Sequence, residues 1–549
     1  MYPEMIDYEQ TCRDFRWDVP AHYNFAFDVV DRWGEDAEKL AMVWVNERGD
    51  EKRLTFGHFT ARSNQLANAL RTLGIRKGDR ILIMLPRVPE WWEAVLGMMK
   101  IGVISMPGTT LLTPKDVAYR IQSAEAAAVI TDEEGAFKVE EVADDCPTLR
   151  LKILFGAEHE GWVNYTRAVA SATANLTREP TRGDEPMMIY FTSGTAGYPK
   201  MVLHSHTSYP IGHIVTGKYW LDLKPTDLHW NLSDTGWAKA AYSNLFGPWA
   251  MGAAMFTFDG RGRFDARQTL ALLERYPIST FCAPPTAYRL LVLEDLRRYR
   301  LSALRHCTGA GEPLNPEVIE AWQRGTGQTI RDGYGQTETV ILVANFPPLP
   351  VKAGSMGKPS PGFTVSIVDG DGREVPAGTE GDIAVKLTPT RPAGIFSEYW
   401  RNPEATGSCT RGEWYITGDR AIKDEEGYFW FVGRADDVII SAGYRIGPFE
   451  VESALVEHPA IAEAAVVASP DEIRGEVVKA FVILAPGHQP SEQLVRDLQE
   501  HVKRVTAPYK YPREIEFSPE LPKTISGKIR RVELRQRERD RKTAGKPVD

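Results

Sequence analysis

The stretch YFTSGTAGYPKM, residues 190–201, decides how this chain is read. An apolar run, PMMIYF (186–191), reads as a buried strand. It runs into Thr192, Ser193, Gly194, Thr195, Ala196, Gly197 and Tyr198, then Pro199 and Lys200. Such a loop is rich in hydroxyls, free of bulky groups, and closed by one cation. Backbone N–H groups and the Thr192, Ser193 and Thr195 hydroxyls suit the β- and γ-phosphates of a nucleotide, and Lys200 adds a point charge. Two familiar phosphate loops fail here. A Walker loop places Lys directly after Gly, whereas Pro199 intervenes; a dinucleotide fingerprint needs GxGxxG opening a helix, which the spacing of Gly194 and Gly197 does not give.

Upstream of the loop the chain alternates helix and strand signals. Phe59, Leu66, Leu70 and Leu73 recur at helical spacing and Gly74 offers a C-cap. RILIML (80–85) is a buried-strand run, a helix is expected at 90–100, VISMP (103–107) is the next strand, and AAAVIT (126–131) repeats the pattern. This rhythm predicts an α/β fold with a parallel sheet covered on both faces. The quoted loop then lies at the carboxyl end of a strand, where open α/β sheets bind ligands. Near residue 360 the pattern shifts to short β-rich segments, FTVSIVD, GDIAVKL and GYFWFVGR, separated by Gly and Asp turns. Beyond Gly433 it becomes α+β, with helices at 449–457 and 491–505 and strands AEAAVVAS, VKAFVIL and REIEF. Ser491 caps the second helix, and Leu494, Leu498, Val502 and Val505 are expected to face inward. The organisation expected is a large N-terminal domain, residues 1–433, of parallel-sheet layers plus a β-subdomain, followed by a small C-terminal domain, residues 434–549.

Composition narrows the functional classes. The chain has 549 residues, more than one core accommodates, and its 65 basic against 74 acidic residues give a net charge of −9. That balance argues against general nucleic-acid binding. The mixed-charge tail ELRQRERDRKTAGK reads as a solvated helix end. Five scattered cysteines without a CxxC pair argue against a zinc site or disulfide framework. The N-terminus carries no apolar secretory core, and AVLGMMKIGVISM is broken by Lys100 and too short to span a bilayer. These features point to a cytosolic protein without a membrane span. His204 and His206 read as structural or pocket-lining, since no third metal ligand accompanies them.

Four further stretches follow the loop in order: DGYGQTET (332–339) after RHCTGAGEPL (305–314), YITGD (415–419), GRADDVIISAGYRIGPFEVE (433–452) and PKTISGKIRR (522–531). With the loop, these five co-linear motifs resemble the adenylate-forming superfamily of acyl-CoA synthetases, luciferases and peptide-synthetase adenylation domains, over nearly the whole chain. SDTGWAKAAYSNLFGPW, SAGYRIGPFEVE and VTAPYKYPREIEF are most similar to the medium-chain acyl-CoA synthetases. The resemblance implies an ATP-dependent acid:CoA ligase using ATP, Mg²⁺ and coenzyme A. A carboxylate attacks the α-phosphate to give acyl-AMP and pyrophosphate; the thiol of coenzyme A then displaces AMP. Anions meet in the first step, so cations and donors are needed where charge develops.

The resemblance also implies residue roles. Lys528 bridges the acyl carboxylate and the α-phosphate. Glu338, after Gln336 and Thr337, is the Mg²⁺-associated acid, and Thr337 is grouped with it. Asp419 takes both ribose hydroxyls, which a two-oxygen acceptor fits, with Arg434 beside it. Gly311, Glu312, Pro313, Asp332, Gly333 and Tyr334 belong to the adenine-pocket segments, where Tyr334 stacks on the base, and Gly335 and Gln336 are counted among the ATP-binding residues. Asp436 is the hinge about which the mobile C-terminal domain rotates between half-reactions. Ala442, Gly443 and Tyr444, with Arg474, Lys503, Tyr511, Pro512 and Arg513, contact coenzyme A; Gly443 lets pantetheine approach the backbone and the cations suit its phosphates.

Acetyl-specific relatives carry a bulky Trp in the segment equivalent to DGYGQT; here that position resembles Gly335, so a longer acid is expected. Each methylene buried is worth about 0.8 kcal/mol. Trp237, Ala238 and Tyr242 are expected to line the acyl pocket. Fatty, branched or benzoate-like acids all remain open, as does loading of a carrier-protein thiol. Ala196 stands where relatives usually carry Thr or Ser, so one hydroxyl contact is missing. A monomer and a homodimer are equally compatible with the sequence.

Overall fold

The computed structural model describes residues 4–192, 199–262, 264–441, 444–471, 474–524 and 528–544. The Ser193–Tyr198 part of the phosphate loop, and Ala442 and Gly443, lie outside them.

Two large mixed sheets carry the first 360 residues. In the eight-stranded sheet, Arg80–Met84 lies between Ile104–Pro107 and Ala128–Thr131, all parallel, and Pro186–Thr192 continues the parallel array. Ile81, Leu82, Ile83 and Met84 are buried, as strands covered on both faces require. In the nine-stranded sheet the parallel core runs through Leu228–Asn231, Thr280–Ala283, His306–Ala310 and Ile330–Gly335. The helices Phe56–Thr72 and Pro89–Lys100 share one apolar cluster with Met42 of one sheet and Ile81 of the other. Local chemistry sets their ends. The Thr55 hydroxyl accepts the His58 N–H, and Gly74 follows the last turn at φ 84°, the left-handed geometry that favours glycine.

A five-stranded antiparallel sheet, from Val365–Val368 to Phe429–Arg434, forms the expected β-subdomain. A fourth sheet gathers Ile439–Ser441, Tyr444–Ile446, Ile461–Asp471, Gly475–Leu484 and Glu514–Phe517. It packs against helices Pro448–Val456 and Glu492–Val505.

Pro186–Thr192 pairs antiparallel with Lys200–Ser205. Two expectations are corrected by packing. Val505 is exposed, because helix Glu492–Val505 buries only Leu498 and Val502 fully. The charged tail is no solvated helix end. Helix Arg531–Ala544 buries Leu534 and Glu538. Lys479 Nζ lies 2.5 Å from Glu538 and 2.7 Å from Glu516. Arg531 grips Glu452 through both Oε atoms, and Arg535 clasps Asp437.

Candidate active site

The strand Ile330–Gly335 carries Asp332, Gly333 and Tyr334 to the carboxyl edge of the parallel core, and Gln336–Glu338 form the turn that follows. Across the mouth, strand Trp414–Lys423 presents Asp419, in register with Arg434. Tyr334 Oη and Gln336 Nε2 each donate to Asp419 Oδ2 at 2.7 Å. Among the described residues nothing donates to Oδ1. Gln336 is held in turn, donating to the Thr417 carbonyl (2.9 Å) and accepting from Tyr415 Oη (3.0 Å). Burial pushes Asp419 above the usual carboxylate range, against the opposing pull of Tyr334, Arg434, Gln336 and Lys528. An acceptor with one oxygen tied down and one free is set for a donor pair such as a cis-diol.

Glu338 sits on the opposite side of the turn. Its Oε1 accepts from Tyr399 Oη at 2.8 Å, a partner the sequence did not suggest. Lys200 Nζ stands 4.6 Å from the Tyr399 ring centre, so loop cation and acid share one aromatic support. Burial raises the Glu338 proton affinity, and Tyr399 and Lys200 work against that. The Thr337 carbonyl accepts from Tyr209 Oη (2.6 Å) and meets His204 Nε2 (2.8 Å). Burial depresses His204 to about 3, which keeps it neutral and structural. Pro199 presents its carbonyl to Tyr119 Oη at 2.9 Å. Thr192 ends the strand opposite Lys200.

Gly311, at φ 111°, faces open space, and Glu312 pairs with Arg289 at 3.2 Å. Asp332 is buried and pushed up to about 8 by desolvation, against hydrogen bonds from the Gly333 and Leu314 N–H groups. A Cβ on Gly333 would lie 2.6 Å from the Trp220 indole, so this glycine exists to seat that ring. Trp220 and Tyr242 rings lie 6.1 Å apart, which makes Trp220 a neighbour of the proposed acyl pocket that sequence reasoning missed. A Cβ on Gly335 would lie 2.4 Å from the Val340 carbonyl oxygen, so the bare position also serves close backbone approach. Trp237 precedes helix Ala238–Ala241. Its turn is pinned by Thr235 Oγ1 on the Leu85 carbonyl (2.8 Å), and by Gly236, whose Cβ would lie 2.0 Å from the Thr109 nitrogen.

Lys528 is exposed and lies beyond Glu514–Phe517, the last strand of the C-terminal sheet. Its charge acts on both Asp419 and Lys239. A backbone pair closes its loop, Thr524 N–H donating to the Lys528 carbonyl at 2.7 Å. Asn315 Nδ2 donates to Ser453 Oγ at 3.0 Å. Asp436 is exposed, 3.7 Å from Arg434 Nε. Lys503 and Arg513 gather at Tyr511, and Tyr444 lies against Tyr509. Tyr444 stacks on Tyr509 with ring centres 4.4 Å apart, and Lys503 and Arg513 stand 4.3 and 4.8 Å from the Tyr511 ring centre. Pro512 is buried beneath them, its carbonyl accepting from Gln499 Nε2 at 3.0 Å. Arg474 N–H bonds Asp471 Oδ1 at 2.9 Å, and its side chain is not tied to either group by any described hydrogen bond or ion pair.

The sequence matches the AMP-binding enzyme family over residues 30–400 and the AMP-binding enzyme C-terminal domain over 450–528. The chain belongs to the AMP-binding enzyme family. This AMP-binding enzyme is 50% identical over 542 residues to acyl-coenzyme A synthetase ACSM3, mitochondrial, of Homo sapiens, covering 97% of this chain and 92% of that one. ACSM4, mitochondrial, of the same organism is 50% identical over 531 residues, covering 95% and 91%. The crystal structure of the anthranilate CoA ligase AuaEII in complex with anthranoyl-AMP matches at TM-score 0.89 and 32% identity, covering 96% of this chain and 99% of that one. The expectation of an adenylate-forming acyl-CoA synthetase with an α/β fold therefore holds. The cytosolic expectation does not, because the relatives sharing half of its residues are named mitochondrial. Charge and cysteine usage carry no address that separates one compartment from another. Among the described residues, no helix is long and apolar enough to cross a membrane.

Proposed function

We propose that this enzyme converts a medium-chain carboxylic acid to its acyl-CoA, adenylating it with ATP and then transferring the acyl group to coenzyme A. The observation that carries the reading is Lys528. Lys528, exposed beyond the last strand of the C-terminal sheet, is among the charges that act on Asp419. That supports a reading in which its charge serves where two anions, carboxylate and α-phosphate, must be brought together.

In this reading Asp419 Oδ1 and Arg434 hold the ribose, and Tyr334 and the 311–313 segment flank the base. Lys200 and the loop before it hold the outer phosphates. The substrate carboxylate attacks the α-phosphorus, pyrophosphate leaves, and Lys528 offsets the charge gathering on the phosphoryl oxygens. Rotation near Asp436 then withdraws Lys528 and brings the segment around Tyr444 inward. The thiolate of coenzyme A attacks the acyl carbonyl and AMP leaves. Lys503 and Arg513, braced on Tyr511, suit the nucleotide phosphates of coenzyme A.

Mg²⁺ fits the residues present. Among the described residues no group of three or more His, Cys, Asp or Glu is arranged as a metal cage. Glu338 is a lone carboxylate held by Tyr399 through one oxygen, and a hard cation that keeps waters and substrate phosphate oxygens asks for no more. When bound, the ion would neutralise phosphate charge beside Glu338.

An aromatic acid is the second reading. It is favoured by the similarity to the anthranilate ligase above and to the benzoate CoA ligase from Burkholderia xenovorans LB400, at TM-score 0.81 and 29% identity, covering 93% of this chain and 100% of that one. A panel of acids from C2 to C12, with branched and aromatic members, assayed for pyrophosphate release with and without coenzyme A, separates the readings. A maximum between about C6 and C10 is expected, from ~0.8 kcal/mol per buried methylene. A maximum at acetate, or thioester formation only on a carrier protein, would overturn the proposal.

A further inference from the structure

Away from the strand Ile330–Gly335, the nine-stranded sheet continues through His306–Ala310, Thr280–Ala283 and Leu228–Asn231, all parallel. Side chains along each strand alternate between two faces. Trp230, Phe281 and Cys307 share an apolar cluster on one face. The other face carries two polar rows, each in register across the three strands. In the first row, His229 meets the Thr280 hydroxyl at 2.7 Å and the Ser243 hydroxyl at 2.9 Å, and His306 meets the Trp220 carbonyl at 2.7 Å. The second row, two residues nearer the carboxyl ends, is Asn231, Cys282 and Thr308. Asn231 and Thr308 are only 3% and 1% exposed. Among the described residues, the Asn231 amide oxygen and nitrogen and the Thr308 hydroxyl have no hydrogen-bond partner. The Ser243 contact shows that the segment Tyr242–Phe246 covers this face, and Tyr242 packs against the cluster that holds Cys282 and Ala310. The unpartnered row therefore lies at the ligand-binding end of a parallel sheet, beneath the segment expected to line the acyl pocket.

A buried amide or hydroxyl without a partner is destabilising, and Leu or Val would fill much the same volume without that cost. The first row shows that this sheet partners its polar side chains where only packing is at stake. Two unpartnered groups one step nearer the site therefore point to a partner that arrives with the substrate. No side chain of the second row is charged, so the partner is neutral. An amide offers a donor and an acceptor, a hydroxyl acts as either, and an alcohol group matches both. We infer that Asn231 and Thr308 are specificity-determining residues that hydrogen-bond a hydroxyl group carried on the carbon skeleton of the acid substrate. With strands about 4.8 Å apart, Thr308 stands one strand and Asn231 three strands from Ile330–Gly335, so the row leads away from the nucleotide end of the site. The enzyme then selects a hydroxylated acid over a plain acid of equal length, because a plain chain seals both groups against methylenes.

This deepens the ligase reading and rests on it, and the test separates the two. Pyrophosphate release is measured with octanoate and the hydroxyoctanoates bearing the hydroxyl on each carbon from C3 to C8, and in parallel with benzoate and its hydroxybenzoates. Wild type, Asn231→Leu and Thr308→Val are compared. In wild type, kcat/KM for the best hydroxy acid should exceed that of its parent acid about ten- to hundred-fold, the range set by leaving buried polar groups unpaired. In either variant that ratio should fall about ten-fold or more, with kcat/KM for the parent acid held or raised. A merely structural lesion lowers both acids alike and leaves the ratio in place. If Asn231→Leu fails to fold, Thr308→Val decides alone. A wild type that prefers each parent acid to all of its hydroxy derivatives, or a hydroxy preference of the same size in wild type and Thr308→Val, overturns the inference. Absence of pyrophosphate release by wild type with every acid overturns the ligase reading, and the assignment falls with it.

Discussion

Replacing Asp419 by Asn tests the nucleotide end of the site with little change of shape. The carboxylate now receives Tyr334 Oη and Gln336 Nε2 on Oδ2, both at 2.7 Å, and leaves Oδ1 open. In the variant the amide oxygen must stay toward those two donors, so the NH₂ group faces the ribose. The ribose loses an anionic acceptor. A hydrogen bond to a charged group contributes about 1.5–3 kcal/mol, and a loss of 2–3 kcal/mol raises the KM for ATP about 30- to 150-fold. The fold should not suffer, because burial already disfavours the ionised form of Asp419; the melting temperature should hold or rise. The assay is pyrophosphate release at saturating acid with ATP and with 2′-deoxy-ATP, on both proteins. In wild type the missing hydroxyl should weaken binding. In Asp419→Asn it should cost nothing more, since the two changes remove the same contact. Equal deoxy penalties in the two proteins, or an ATP KM within two-fold of wild type, would refute the reasoning.

Three further outcomes are expected. Asp436→Pro should preserve pyrophosphate release and impair thioester formation, because the Asp436 N–H makes no backbone hydrogen bond among the described residues while Pro fixes the φ a rotation must change; equal loss in both half-reactions counts against the hinge. Lys479→Met should cost about 1.5–3 kcal/mol in a denaturant melt, since buried Glu538 loses its Lys479 partner and keeps Ser469 and the more exposed Arg541, and adding Glu538→Leu should recover most of it; a single variant as stable as wild type contradicts this. Glu317 is pushed up to about 7 by burial and by Glu457 across the contact with the C-terminal sheet, so this docking takes up a proton, is favoured at acid pH, and weakens as pH rises through 7. Glu317→Gln should therefore flatten the pH dependence of the adenylation-to-thioester rate ratio between pH 6 and 8, and an unaltered pH course would rule out that linkage.

What the sequence made legible has a physical pattern. The strands Arg80–Met84 and Ala128–Thr131 are apolar throughout because both faces are covered, so composition alone marks them. The residues expected at the nucleotide site, Tyr334, Gln336, Glu338 and Asp419, lie in short contiguous runs because each loop at a sheet edge must present several groups at once. Their supports are not contiguous. Tyr399 holds Glu338 from 61 positions away, Trp220 fills the space that Gly333 leaves, and Lys479 finds Glu538 at a separation of 59. No local pattern encodes such pairs, since each half alone looks like an ordinary core aromatic or a surface charge. Gly335 marks the limit most sharply. Read as a missing indole it promises room, and the Val340 carbonyl also occupies the direction a side chain would take. A residue's absence of side chain has two opposite causes, space kept open and space already filled, and only the neighbouring backbone distinguishes them.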